Sequence, residues 1–182
     1  DLSEKELRIH LAASYRLVED FGWSFLIFGH LTARVPGPNK HFLINPYGLM
    51  YDEIKASNLV KIDLEGNIIG KTDWDVNPAG FVIHSAVHSS NANAHCVMHT
   101  HTNAGMAMAS LKKGLINIDF SGSAYYKSIA YHDFEGVTIR KDECDRIAKN
   151  LGNKSIMILK NHGLLTTGLT VAEAFLKLYT LE

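Results

Sequence analysis

Short apolar runs closed off by proline, glycine and asparagine turns recur along this chain, and several follow one another with no helix between them. Leu31–Val35 and His41–Ile44 read as a hairpin across Pro36-Gly37-Pro38-Asn39. Pro46-Tyr47-Gly48 makes a further turn, and Leu59–Leu64 ends in the turn Glu65-Gly66-Asn67. Later runs at Cys96–Met98, Ser155–Leu159 and Leu164–Thr167 are apolar enough to be buried strands. A strictly alternating strand–helix plan cannot hold so many consecutive strands. The pattern predicts an α/β three-layer architecture, with a central, mostly antiparallel sheet flanked by helices.

Helices are expected where apolar residues recur at helical spacing. Ser3 and Glu6 form a capping box ahead of Leu7, Leu11, Tyr15 and Val18, and Gly22 closes that helix. Others are expected over Phe81–Ser89, Asn103–Leu111 and Lys141–Leu151, with a last one from Thr170. Phe120–Lys127, rich in small and aromatic residues, reads as a loop. At 182 residues the chain suits a single domain spanning 1–182. It starts without Met and stops at Glu182 inside a helical pattern, so the last helix reads as truncated and the natural chain has room to extend at either end.

With 46% hydrophobic residues, 20% charged residues and a net charge of -1, nothing points to nucleic acid or an anionic membrane as partner. No apolar run approaches the roughly 20 residues that span a bilayer. Cys96 and Cys144 have no paired spacing and read as free thiols. The expectation is a cytoplasmic protein.

Ten histidines are a surplus, and their grouping carries chemistry. His99 and His101 are two apart in an extended segment, so their side chains project from one face and can take adjacent corners of a metal's coordination sphere. His162, in the turn Asn161-His162-Gly163 after an apolar strand, fits as the third ligand. Three neutral nitrogens with an open position describe a catalytic rather than a structural zinc site. The pair His84 and His88 shares a helix face, but Ser85 stands where a zinc protease has its glutamate, so helix packing and surface exposure explain this pair better.

Three longer stretches converge on a family. Asn77-Pro-Ala-Gly-Phe-Val-Ile-His84, Val97-Met-His-Thr-His-Thr-Asn-Ala-Gly105 and Lys160-Asn-His-Gly-Leu-Leu165 resemble the class II aldolase/adducin superfamily. Gly29–Val35, His41–Gly48, Leu59–Asp63 and Ala130–Phe134 extend the likeness over nearly the whole chain. Within the superfamily it is most similar to the adducin head domain and adducin-like bacterial proteins. The resemblance implies one zinc, or another divalent ion, per subunit on His99, His101 and His162. It implies a lyase of carbohydrate metabolism that cleaves a small hydroxy-carbonyl or sugar-phosphate-like compound, and a homo-oligomer, a tetramer in the aldolases. It assigns substrate contacts to Gly29, His30, Asn45, Gly48 and Gly80.

The departures from the aldolase pattern fall on those contacts. The family's catalytic acid lies four positions before the histidine matching His84, and here that position is Gly80. The small hydroxyl residues before it are Pro78 and Ala79, the phosphate-cradling glycine–asparagine pair reads Gly29-His30, and Tyr47 precedes Gly48. Asn77–Gly80 reads equally well as a plain helix entry. Tyr125, Tyr126 and His132 are candidates for a replacement proton donor, against a packing role; Asp133 and Glu135 read as solvated charges. Two readings follow: a zinc-dependent lyase, or an adducin-like non-catalytic assembly module, actin-associated by resemblance, that keeps the metal site. A third gives the metal a structural role alone.

Overall fold

The computed structural model describes residues 2–118, 120–137 and 140–182. Its first element, helix α1 (Glu4–Asp20), begins at the capping box: Ser3 accepts from Glu6 N–H while the Glu6 carboxylate reaches back to Ser3 N–H. Strands β1 (His30–Arg34), β2 (Phe42–Ile44) and β3 (Val60–Ile62) follow, with a short 3-10 turn at Tyr51–Glu53. Helix α2 (Pro78–Ser90) leads to β4 (Cys96–Thr100) and α3 (Asn103–Ala109). Then come α4 (Phe120–Tyr125), β5 (Ile129–His132), α5 (Lys141–Leu151), β6 (Ile156–Leu159), β7 (Gly163–Gly168) and α6 (Val171–Leu181).

The strands form one sheet in the order β3-β2-β1-β4-β7-β6-β5. Every pairing is antiparallel except β5 with β6, which α5 connects. On one face Leu31, Ala33, Cys96, Met98, Ile156 and Ile158 pack with α1, α3 and α6. On the other, Val97, Ala130, Met157 and Leu165 pack with α2 and α5 through Ile83, Val87, Ile147 and Leu151. These are the three layers expected. The Phe120–Lys127 loop expectation fails, because residues 120–125 are helical. Its Ser-Gly-Ser centre carries weak helix formers, and the helix packs against α6. Among the described residues no helix is long and apolar enough to cross a membrane.

Tyr15 ties α1 to the sheet. Its fully buried hydroxyl accepts from Leu31 N–H at 2.8 Å and lies 2.7 Å from Leu31 C=O and 3.0 Å from Asn45 Oδ1. Tyr15→Phe strands Leu31 N–H without its acceptor and is predicted to cost roughly 1–3 kcal/mol in chemical denaturation. A change below about 0.5 kcal/mol would show that this hydroxyl holds nothing.

A candidate metal centre of three imidazoles

His99 lies on the face of β4 that meets α2, and His101 follows one residue past the strand end. Thr102 caps α3 by accepting from Gly105 N–H at 2.8 Å, which fixes the backbone just after His101. His162 sits in the tight β6–β7 turn, where Asn161 takes a left-handed conformation (φ 55°), tolerable for asparagine. Gly163 is demanded by closeness: a Cβ there would strike the Thr100 carbonyl and lie 3.1 Å from His101 Cδ2. The turn is thereby pressed against the end of β4.

The three side chains meet. His99 Nε2 is 2.8 Å from His101 Nε2 and 3.3 Å from His162 Nε2. His99 Nδ1 is 2.8 Å from the Leu164 carbonyl, which can only accept, so Nδ1 carries the proton and Nε2 turns a bare lone pair to the cluster. Burial, then the neighbouring imidazoles, holds His99 well below the ordinary histidine range. Burial and His162 push His101 down to about 4, and His162 is lowered by burial and by His132. All three are neutral at pH 7, as ligation requires. Nitrogens at the corners of a tetrahedron with bonds of about 2.0–2.1 Å stand about 3.3 Å apart. Donor chemistry, tautomer and spacing fit a divalent cation, and among the described residues this is the one cluster of three or more potential ligands. His99 is buried and the other two half-buried, with Phe25 beside His101 and Phe134 beside His162.

Of the remaining expected site residues, Gly29, His30 and Gly80 lie near His99 or each other, and the others lie elsewhere. His30, opposite His99 in the β1–β4 ladder, is buried, and so is Gly80 in the first turn of α2. Asn77 caps that helix by accepting from Ala79 N–H at 3.1 Å, so Asn77–Gly80 is a helix entry. Gly29 packs against the His99 carbonyl. Asn45 directs its amide to Tyr15 and to Pro46 C=O, and Gly48 lies in an exposed turn. Tyr125 is half-buried in a pocket with Gly105, Leu164 and Glu182, and Tyr126 is exposed. His132 lines a small pocket with His162, but Asn150 donates to its Nδ1 at 2.9 Å and its Nε2 faces Glu143 Oε1 at 3.2 Å. Asp133 pairs with Lys160 and Glu135 with Arg146, as solvated charges do.

Sequence reasoning missed Thr32. Its hydroxyl, 2.7 Å from His84 Nδ1 and 2.8 Å from His88 Nε2, joins both α2 histidines to the sheet. The helical spacing of 84 and 88 announced a shared face, but nothing local named its partner.

These observations agree with what the chain is similar to. The Class II Aldolase and Adducin N-terminal domain family matches residues 9–182. The chain belongs to that family. An aldolase II superfamily protein from Pseudomonas syringae has the same fold at TM-score 0.97 and 46% identity, over 100% of this chain and 73% of that one. An L-fuculose 1-phosphate aldolase from Glaciozyma antarctica aligns at TM-score 0.87 and 33% identity, over 98% of this chain and 70% of that one. Alpha-adducin of Mus musculus is 47% identical over 184 residues, all of this chain but a quarter (25%) of that protein.

Burial also sets an acid dependence. His30 and His88 are pushed down to about 3, burial being the first cause for each. Unfolded, both titrate near about 6.5. Between about 6.5 and 4 the unfolded chain therefore binds protons that the folded chain does not, so stability falls as pH falls, by roughly 1.4 kcal/mol per pH unit for each such histidine. With His101, held at about 4, counted beside these two, urea denaturation with chelator present is predicted to show at least about 3–4 kcal/mol less stability at pH 5.5 than at pH 7. Equal midpoints would mean that these imidazoles are protonated in the fold.

Proposed function

We propose that this protein is a divalent-metal-dependent lyase, with zinc on His99, His101 and His162, acting on a small hydroxy-carbonyl or sugar-phosphate-like compound. The convergence of three neutral imidazole nitrogens, one with its tautomer set by Leu164, carries the reading. When bound, the ion supplies Lewis-acid polarisation of a carbonyl oxygen. The chain's own part is to hold its ligands still: the Leu164 carbonyl orients His99, the Gly163 turn presents His162, and the Thr102 cap fixes the backbone beside His101. Phe25 and Phe134 stand beside the two more exposed imidazoles. The similarity to a protein named L-fuculose 1-phosphate aldolase supports a carbon–carbon lyase. By the same family likeness the working form is a homo-oligomer, a tetramer in the cytoplasm.

A second reading has its own observation. Gly80 stands at the position of the family's acid and offers no group to move a proton, a loss that costs roughly 10²–10⁴-fold in rate. With the similarity to alpha-adducin, this favours a non-catalytic assembly module with a cytoskeletal, actin-linked partner.

Metal analysis separates the readings when combined with ligand binding. Protein purified without chelators is predicted to carry about one divalent ion per chain. A small hydroxamate that mimics an enediolate is then predicted to raise its melting temperature by several degrees. Metal-free protein would sink the lyase reading. A metal-loaded protein that no hydroxamate stabilises would favour the assembly module.

A further inference from the structure

Positions 30 and 80 are far apart in sequence and share one volume. A Cβ built on Gly80 would fall inside the His30 imidazole, 2.6 Å even from its Cγ. No side chain fits at position 80, acidic or otherwise, while His30 keeps its place. The His30 ring is only 4% exposed, and among the described residues neither of its nitrogens has a hydrogen-bond partner. An imidazole so buried with both polar atoms unpaired is costly unless a ligand meets it.

The surroundings of His30 are fixed with equal care. His88 Nδ1 lies 2.8 Å from Ala94 C=O, so it carries the proton and His88 Nε2 accepts from the Thr32 hydroxyl. That hydroxyl, its one proton given away, accepts from His84 Nδ1–H. His84 Nε2 is left with a lone pair, buried and unpartnered, in a ring 6.1 Å from that of His30. On its other side His30 stands opposite His99 on the same face of the sheet.

We propose that His30 and Gly80 are an exchanged pair, in which the His30 imidazole fills the volume of the family's acidic side chain and hydrogen-bonds an oxygen of a small ligand held at the His99–His101–His162 centre. This assignment rests on the metal-centre reading above. The exchange alters which ligand is accepted. A carboxylate at neutral pH can only accept hydrogen bonds and repels an anionic oxygen, whereas a neutral imidazole donates one N–H to it. Position 30 therefore favours ligands that place a negatively charged oxygen, as in an enediolate, a hydroxamate or a 2-hydroxy acid, against its N–H. Burial, the first cause of the lowered His30 basicity, keeps the ring in that neutral form.

A double-mutant cycle tests the shared volume, and ligand binding tests the contact. Gly80→Glu must displace the His30 ring and is predicted to lower the melting temperature by about 5 °C or more. His30→Ala in the same chain opens the space, so the double variant should recover at least half of that loss. In zinc-loaded protein of verified metal content, His30→Ala is predicted to keep its metal and to weaken acetohydroxamate binding about tenfold by calorimetry. His30→Gln, which keeps an N–H donor, should stay within about threefold of wild type. Strictly additive melting shifts would overturn the exchange. Unchanged acetohydroxamate affinity in His30→Ala, with wild type binding normally, would overturn the contact alone. Metal-loaded wild type that binds no hydroxamate would sink the lyase reading and the contact together, leaving the melting cycle to decide the exchange.

Discussion

The antiparallel register of β1 on β4 sets His30 opposite His99 and Thr32 opposite Val97. Since side chains alternate faces, a slip of β1 by one residue along β4 would turn His30 and Thr32 away from α2. Thr32 would leave His84 and His88, and His30 would leave its place against Gly80. The register is held by apolar burial on the opposite face, where Leu31, Ala33, Cys96 and Met98 pack in the core with α1 and α6. The histidine-bearing face is thus the reverse side of an ordinary hydrophobic sheet, and much of the energy that places it comes from residues on the opposite face.

What the fold does with that face is to hold several imidazoles neutral in a place where charge is expensive. His30, His84, His88 and His99 are all buried, and among the described residues none of them hydrogen-bonds a carboxylate. Backbone carbonyls of Ala94 and Leu164 and the Thr32 hydroxyl decide instead which nitrogen carries each proton. His132 is the contrast, with Glu143 and Asn150 on its two nitrogens and no free edge in this arrangement. Lone pairs directed inward, with no acid among them, suit the binding of a cation and its anionic ligand more naturally than the binding of a proton.

Much of this was legible before the structure. The Ser3–Glu6 capping box, helix Lys141–Leu151 and the antiparallel sheet depend on local patterning and turn chemistry, and they are found as read. The same holds for the convergence of His99, His101 and His162, because alternation along β4 and a sharp Asn-His-Gly turn are local devices. Strand β5 was not foreseen. It is four residues long and owes its existence to parallel pairing with β6, which no local signal announces. Gly80 looked like a simple loss for the same reason. Only the packing of α2 on β1 reveals that the His30 ring fills the space a side chain would need.

The central claim is that His99, His101 and His162 hold a single divalent ion. It is tested most directly by titrating chelator-treated protein with Co²⁺ and following the visible absorption of the bound ion. The account predicts saturation at about one equivalent per chain, with the intense bands of a low-coordinate nitrogen site, and their loss in His162→Ala. Absorption that never rises above that of aqueous Co²⁺, or that survives His162→Ala unchanged, would contradict it.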